Sequence, residues 1–340
     1  MTHKNHPDNE SAGNKRNNQS NVEDDGFRDL IVSTTAYTFE VVQQAGDNIS
    51  PELRSQTIHI LEHALNLESA WKIAEDLLLT VAPHMERLGE RIEWMDLLQF
   101  AIERCASHKY SALQAELQLQ LGILYYLVND YEQAKRMFLA SIENFKIVTN
   151  CLGIARALNE LGWVGQLQQD HYSANQYVEM ALRLLDDTDP ERGMSYRVLG
   201  MLANNEQRWS EALAYHHKSH ELFKKANDPR RIAWSQQNMA LALRNLERYE
   251  EAIDFYNEAA SRLQALGDLH RWVMTQIGLG TAYLHSGNTV QAVSCFVGAE
   301  PVASYFQDDL FLAMIHNNLG LCQMNEKKFP QAAQHFQNAI

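Results

Sequence analysis

A Leu-Gly pair, an Ala twelve residues after the Gly, and a Phe four residues later recur at a fixed step along this 340-residue chain. Residues 121–138 read LGILYYLVNDYEQAKRMF, residues 279–296 read LGTAYLHSGNTVQAVSCF, and residues 319–336 read LGLCQMNEKKFPQAAQHF. The small-residue column runs Gly122, Gly162, Gly200, Ala240, Gly280, Gly320, and the alanine column Ala134, Ala174, Ala212, Ala252, Ala292, Ala332. Five steps separate six registers; all are 40 residues but one of 38. An aromatic stands three before the Ala at Tyr131, Trp209, Tyr249 and Phe329. A period of this length means stacked supersecondary units, and polar pairs such as Asn129-Asp130, Gln169-Asp170 and Gly287-Asn288 split each unit into two helices, A and B. The small residue lets helix A approach helix B, the Ala marks their crossing, and the aromatic four residues later is expected to fill the gap toward the next unit. One such pair cannot bury its apolar face alone, so units stack.

The pattern resembles the tetratricopeptide repeat, in the 40-residue variety of Leu-Gly-Asn and kinesin-light-chain-type proteins and of the sensor arrays of bacterial signal-transduction ATPases. HNNLG at 316–320 and LNELG at 158–162 carry that likeness. It implies an all-α fold: a right-handed superhelical solenoid of antiparallel helix pairs. Residues 109–340 form six units on this reading, the last incomplete, and 69–108 a degenerate first repeat with Trp71 and Trp94. Residues 27–68 read as an N-terminal helical cap, its second helix capped by Ser50 with Pro51 in the first position. Residues 1–25, rich in Asn, Ser, Asp and Lys, read as a disordered polar tail.

Composition narrows the partners. A formal net charge of −14 argues against nucleic acid and anionic membranes, and no run approaches the ~20 apolar residues of a membrane span. Four scattered cysteines, Cys105, Cys151, Cys295 and Cys322, point to reduced thiols and a cytoplasmic setting. The stretch YHHKSHELF, 215–223, sets His216 and His220 four apart, as in helical zinc sites. In the repeat frame, however, His216 falls in the column of Phe138 and Phe296, and both are packing positions. No Gly-rich phosphate loop, nucleophile–base set or metal-ligand set is legible, so neither an enzyme nor a cofactor is implied.

Function is expected on the concave surface lined by helix A. Its predicted residues are Arg156, Asn159, Trp163, Arg197, Met201, Asn204, Asn205, Trp234, Gln237, Asn238, Arg244, Asn245 and Asn317. Amides can bond a peptide backbone, arginines carboxylates, and Trp and Met supply apolar contact. The resemblance adds that the Asn column and groove arginines of such arrays hold acidic peptides; Asn159, Asn238 and Asn317 match, while Ile277-Gly278 breaks the ladder in the fifth unit. The expected activity is therefore a non-enzymatic scaffold for a partner's acidic or amphipathic segment. The alternatives are a peptide-responsive component of a bacterial signalling or transcription-control system, and a fragment whose activity lies beyond residue 340. The last helix carries no polar cap, so continuation or self-association through that end is expected.

Overall fold

The computed structural model describes residues 11–46, 49–88, 91–306 and 308–339, the side chains of 11–24, 87 and 88 aside. Among these there are sixteen α-helices and no strand. They divide between two compact units, one comprising Met1–Met85 with Ile92–Arg104, the other Glu86–Arg91 with Cys105–Ile340.

The first unit holds α1 (Ser11–Ala45) and α2 (Pro51–Ala64), with most of α3 (Trp71–Leu88) and α4 (Arg91–His108). Ser50 caps α2 as the sequence suggests: its Oγ accepts from the backbone N–H of Leu53 at 3.2 Å, and Pro51 occupies the first turn, where no N–H is needed. Trp94, in the first turn of α4, is buried. Of the expected tail, residues 1–10 lie outside the described residues, and 11–25 are drawn as the start of α1.

The second unit stacks six helix pairs: α5 (Ser111–Leu127) with α6 (Tyr131–Ile147), α7 (Cys151–Leu167) with α8 (His171–Leu184), α9 (Arg192–Asn205) with α10 (Trp209–Lys225), α11 (Pro229–Asn245) with α12 (Tyr249–Ala265), α13 (Leu269–His285) with α14 (Thr289–Tyr305), and α15 (Asp309–Asn325) with α16 (Phe329–Asn338). Two residues make each sharp A–B turn. Asn129 takes φ +63°, so the Asp130 N–H reaches back to the Tyr125 carbonyl at 2.9 Å and closes α5. Asp130 then opens α6, its carboxylate accepting from Gln133 N–H at 3.1 Å. Gln169 (φ +62°) and Asp170 repeat the device.

All six column alanines are buried. At the small-residue column, a Cβ added to Gly122 would stand 2.5 Å from Phe138, and one on Gly280 2.6 Å from Phe296. This corrects one detail of the sequence reading: the aromatic lies first on the glycine of its own repeat, which is why that position tolerates so little. His216 takes the same place over Gly200 and is fully buried. Pairs are also tied by polar bonds, Ser141 Oγ donating to the Ala115 carbonyl at 2.7 Å and Ser219 Oγ to that of Gly193 at 2.8 Å.

Candidate functional site: the helix-A surface of the second unit

Side chains from helix A of four successive repeats stack into a ladder. The Arg197 guanidinium of α9 lies 3.7 Å from the Trp163 ring centre of α7 and 5.2 Å from that of Trp234 of α11. On the same indole rest Arg271 of α13 (4.3 Å) and Arg230 of α11 (4.7 Å). The 40-residue step places equivalent helix positions side by side, so a Trp in one repeat can meet an Arg of the next. Next to the ladder lies a cavity of about 200 Å³, lined among others by Tyr126, Leu127, Trp163, Arg230, Arg271 and Met274.

Most charges here are neutralised internally. Arg156 is forked onto the Glu116 carboxylate at 2.7 and 3.0 Å, forty residues back. Arg230 bridges Glu86 and Asp268, each at 2.8 Å. Burial alone would lower its affinity for a proton, but those two carboxylates outweigh burial and raise it. Arg231 reaches Glu191 at 3.1 Å, and His270 meets Asp308 at 3.2 Å. Arg91, Arg197, Arg244 and Arg271 have no ion pair among the described residues.

Several buried polar atoms on these helices A have no hydrogen-bond partner among the described residues: Arg197 Nε and Nη2, Trp234 Nε1, Gln166 Oε1, Gln237 Oε1, Asn238 Nδ2 and Glu160 Oε2. An unpaired buried donor or acceptor costs about 1–3 kcal/mol, so these are polar groups that the fold itself leaves unsatisfied. Burial, with the like charge of Arg271 second, depresses the Arg197 guanidinium. Burial pushes Glu160 up to about 7, against the opposing pull of Arg197.

The residues expected from sequence divide into three groups. Trp163, Arg197, Trp234, Gln237 and Asn238 supply the ladder and the unpartnered atoms. Arg156, Asn159 and Asn204 make internal bonds. Asn159 Nδ2 donates to Glu191 Oε1 at 3.0 Å and its Oδ1 accepts from Ser195 Oγ at 2.7 Å, tying two repeats. Asn204 Nδ2 is turned toward His216 Nε2 at 3.3 Å and Met201 Sδ at 3.8 Å, between helices A and B. Arg244 and Asn245 lie half-buried at the far end of α11, about 15 Å along the helix from Trp234, and Asn205 and Asn317 are exposed. Sequence reasoning did not name Glu160, Arg230 or Arg271. One signal was available: an Arg or His as the second residue of helix A, followed 38 residues later by the Asp that caps the next helix A, as in Arg230/Asp268 and His270/Asp308.

The histidine pair is structural in its geometry. Burial holds His216 down to about 3, and His220 Nδ1 is paired with Ser235 Oγ at 2.8 Å. No group of three His, Cys, Asp or Glu side chains among the described residues is placed to hold a metal ion. No helix among them is long and apolar enough to cross a membrane.

Known proteins give the same architecture. A tetratricopeptide repeat model matches residues 191–265 and 231–297. The transcriptional activator NprA of Geobacillus stearothermophilus is 26% identical over 235 residues, 67% of this chain and 57% of that protein, so the chain spans little more than half of its relative's length. A Rap protein solved in complex with the competence and sporulation factor superposes with a TM-score of 0.61 at 13% identity, covering 91% of this chain and 97% of that one. A signal-transduction ATPase with a tetratricopeptide repeat sensor from Pyrococcus horikoshii matches at TM-score 0.52 and 12% identity, covering 92% of this chain and 47% of its own. At such identities the structural likenesses speak for the fold alone.

Proposed function

Given that residues 191–297 match tetratricopeptide repeats and that the second unit stacks helix pairs of that kind throughout, we propose that the chain is a non-enzymatic interaction module whose helix-A surface takes an acidic peptide segment of a partner. The observation that carries this reading is the row of buried, unpartnered polar atoms on Gln166, Arg197, Trp234, Gln237 and Asn238. A peptide backbone offers what they lack: carbonyls for the Asn, Trp and Arg donors, N–H groups for the Gln oxygens. Acidity follows from the charge count. Five paired carboxylates, Glu86, Glu116, Glu191, Asp268 and Asp308, meet Arg156, Arg230, Arg231 and His270; among the groups without an ion pair, Arg91, Arg197, Arg244 and Arg271 stand against Glu160, so those free to meet a ligand are mostly cationic.

A regulatory role is the second reading. The Trp163–Arg197–Trp234–Arg271 ladder spans four helices A, so a ligand that displaced Arg197 would change their spacing. The similarity to the activator NprA favours it. A clear change in radius of gyration on ligand addition, by small-angle scattering, supports it; an unchanged value removes it.

The primary test is an array of random decapeptides probed with the wild-type protein and with Arg244→Gln/Arg271→Gln, two half-buried positions without ion pairs. Selection of Asp- and Glu-containing peptides by wild type, lost in the variant, is expected. Selection indifferent to peptide charge, or unaltered in the variant, overturns the assignment.

A further inference from the structure

Glu160 is the exception among the carboxylates of this surface. Glu116, Glu86, Asp268 and Glu191 each meet an arginine at 2.7 to 3.1 Å, and Asp308 meets His270 at 3.2 Å. Glu160 makes no ion pair among the described residues, and its Oε2 is buried without a hydrogen bond. It stands on α7, three residues before the Trp163 whose ring is stacked on Arg197. Arg197, in turn, has Nε and Nη2 buried and unused. The charge that could answer Glu160 is thus close by, held on an indole rather than on the carboxyl. Glu160 as a whole is half-buried, but a carboxyl with one oxygen buried and unbonded favours its neutral form.

The groups that face Glu160 come from every side. Arg197 (α9) and Arg231 (α11) favour its charged form; Glu191, just before α9, and Glu86, in the Glu86–Arg91 segment, oppose it. Tyr126 of α5, half-buried and in electrostatic reach of Glu160, is a neutral neighbour whose own ionisation is suppressed by burial of its hydroxyl.

We propose that binding of an anionic segment beside Arg197 is coupled to uptake of a proton by Glu160, so that affinity falls as pH rises through neutrality. The inference rests on the acidic-peptide reading above. An ionised Glu160 is the chain's own competitor for Arg197, and it repels a ligand carboxylate; a protonated Glu160 does neither, and its hydroxyl can donate to the ligand. Coupling is reciprocal: the ligand's charge stabilises the proton, and the proton stabilises the ligand. In the free chain burial pushes Glu160 up to about 7. Were it to stay protonated past pH 8 in the complex, the apparent Kd would rise about tenfold between pH 6 and pH 8.

The test uses a tetramethylrhodamine-labelled decapeptide of alternating Asp and Ser, titrated into the full chain by fluorescence anisotropy at pH 6, 7 and 8. Wild type is expected to bind about tenfold more weakly at pH 8 than at pH 6, and Glu160→Gln to bind with no such slope. Calorimetry of wild type in phosphate and in Tris at pH 7.5 provides a second readout that needs no variant, and net proton uptake is expected. Equal affinity across the range, proton release, or an undiminished slope in Glu160→Gln overturns the coupling while leaving the groove assignment standing. No binding by wild type at any pH overturns the acidic-peptide reading and this one together.

Discussion

His216 gives the second unit a measurable acid sensitivity. It is fully buried over Gly200, its Nδ1 has no partner, and its Nε2 faces the Asn204 amide. Burial, then the charges of Arg197 and His217, hold it down to about 3, whereas an unfolded histidine titrates near 6.5. Below about pH 6.5 the unfolded chain therefore takes up a proton that the folded chain refuses. The stability is fully present above that value and is lost as pH falls toward 3. Between pH 7.5 and 5.5 the linkage amounts to about 1.4 kcal/mol, which for a unit of this size is roughly 3–5 °C in melting temperature. Phe occupies the equivalent place over Gly122 and Gly280, so His216→Phe should fit. Losing the Asn204 bond shifts its stability equally at both pH values. The assay is thermal melting by circular dichroism of wild type and His216→Phe at pH 5.5 and 7.5. The variant's pH-dependent drop should be smaller than wild type's by that 3–5 °C. His220, also depressed by burial, remains in both proteins and cancels. Identical drops would refute the reasoning, because they would mean that His216 is protonated alike in both states.

Further perturbations separate packing from site. Gly298→Ala, in α14 with nothing within 4 Å of the new Cβ, should stabilise by about 0.5–1 kcal/mol, whereas Gly122→Ala, whose Cβ would stand 2.5 Å from Phe138, should destabilise by about 1–2 kcal/mol; urea melts read both. Arg230→Met strands Glu86 and Asp268 and should cost about 3 kcal/mol, against much less at an exposed pair such as Arg248–Glu251. Asn159→Ala, which strips Glu191 and Ser195 of a partner, should lower stability by about 2 kcal/mol yet leave decapeptide affinity within about twofold, read by anisotropy on the folded variant.

The repeats were legible because steric demands leave residues of one kind at one spacing. Gly122 and Gly280 lie under rings, and the column alanines are buried at helix crossings, so each position shows as a column. The turns were legible for the same reason: Asn129-Asp130 and Gln169-Asp170 join a left-handed residue to an N-cap. The site was only half legible. Helix position predicts which way a side chain leaves the backbone but not which bond it has already made. Asn159 and Asn204 therefore looked like ligand donors although their neighbours hold them. Charge neutralisation was hidden too, since Arg230 meets Glu86 across 144 residues of sequence. Glu160 carried no signal at all: its distinction is the absence of a partner, and sequence does not record that.

The central claim is that a peptide fills the Trp163–Arg197–Trp234 surface. The most direct measurement is the indole N–H region of a TROSY spectrum of 15N-labelled protein, recorded with and without the Asp-Ser decapeptide. The chain has six tryptophans. On this account the Trp163 and Trp234 resonances move, Trp234 most, because its Nε1–H is unpartnered in the free protein, while Trp71, Trp94, Trp209 and Trp272, the last packed on the core of α13 to α15, stay in place. Movement confined to those four, or binding that moves no indole, would contradict it.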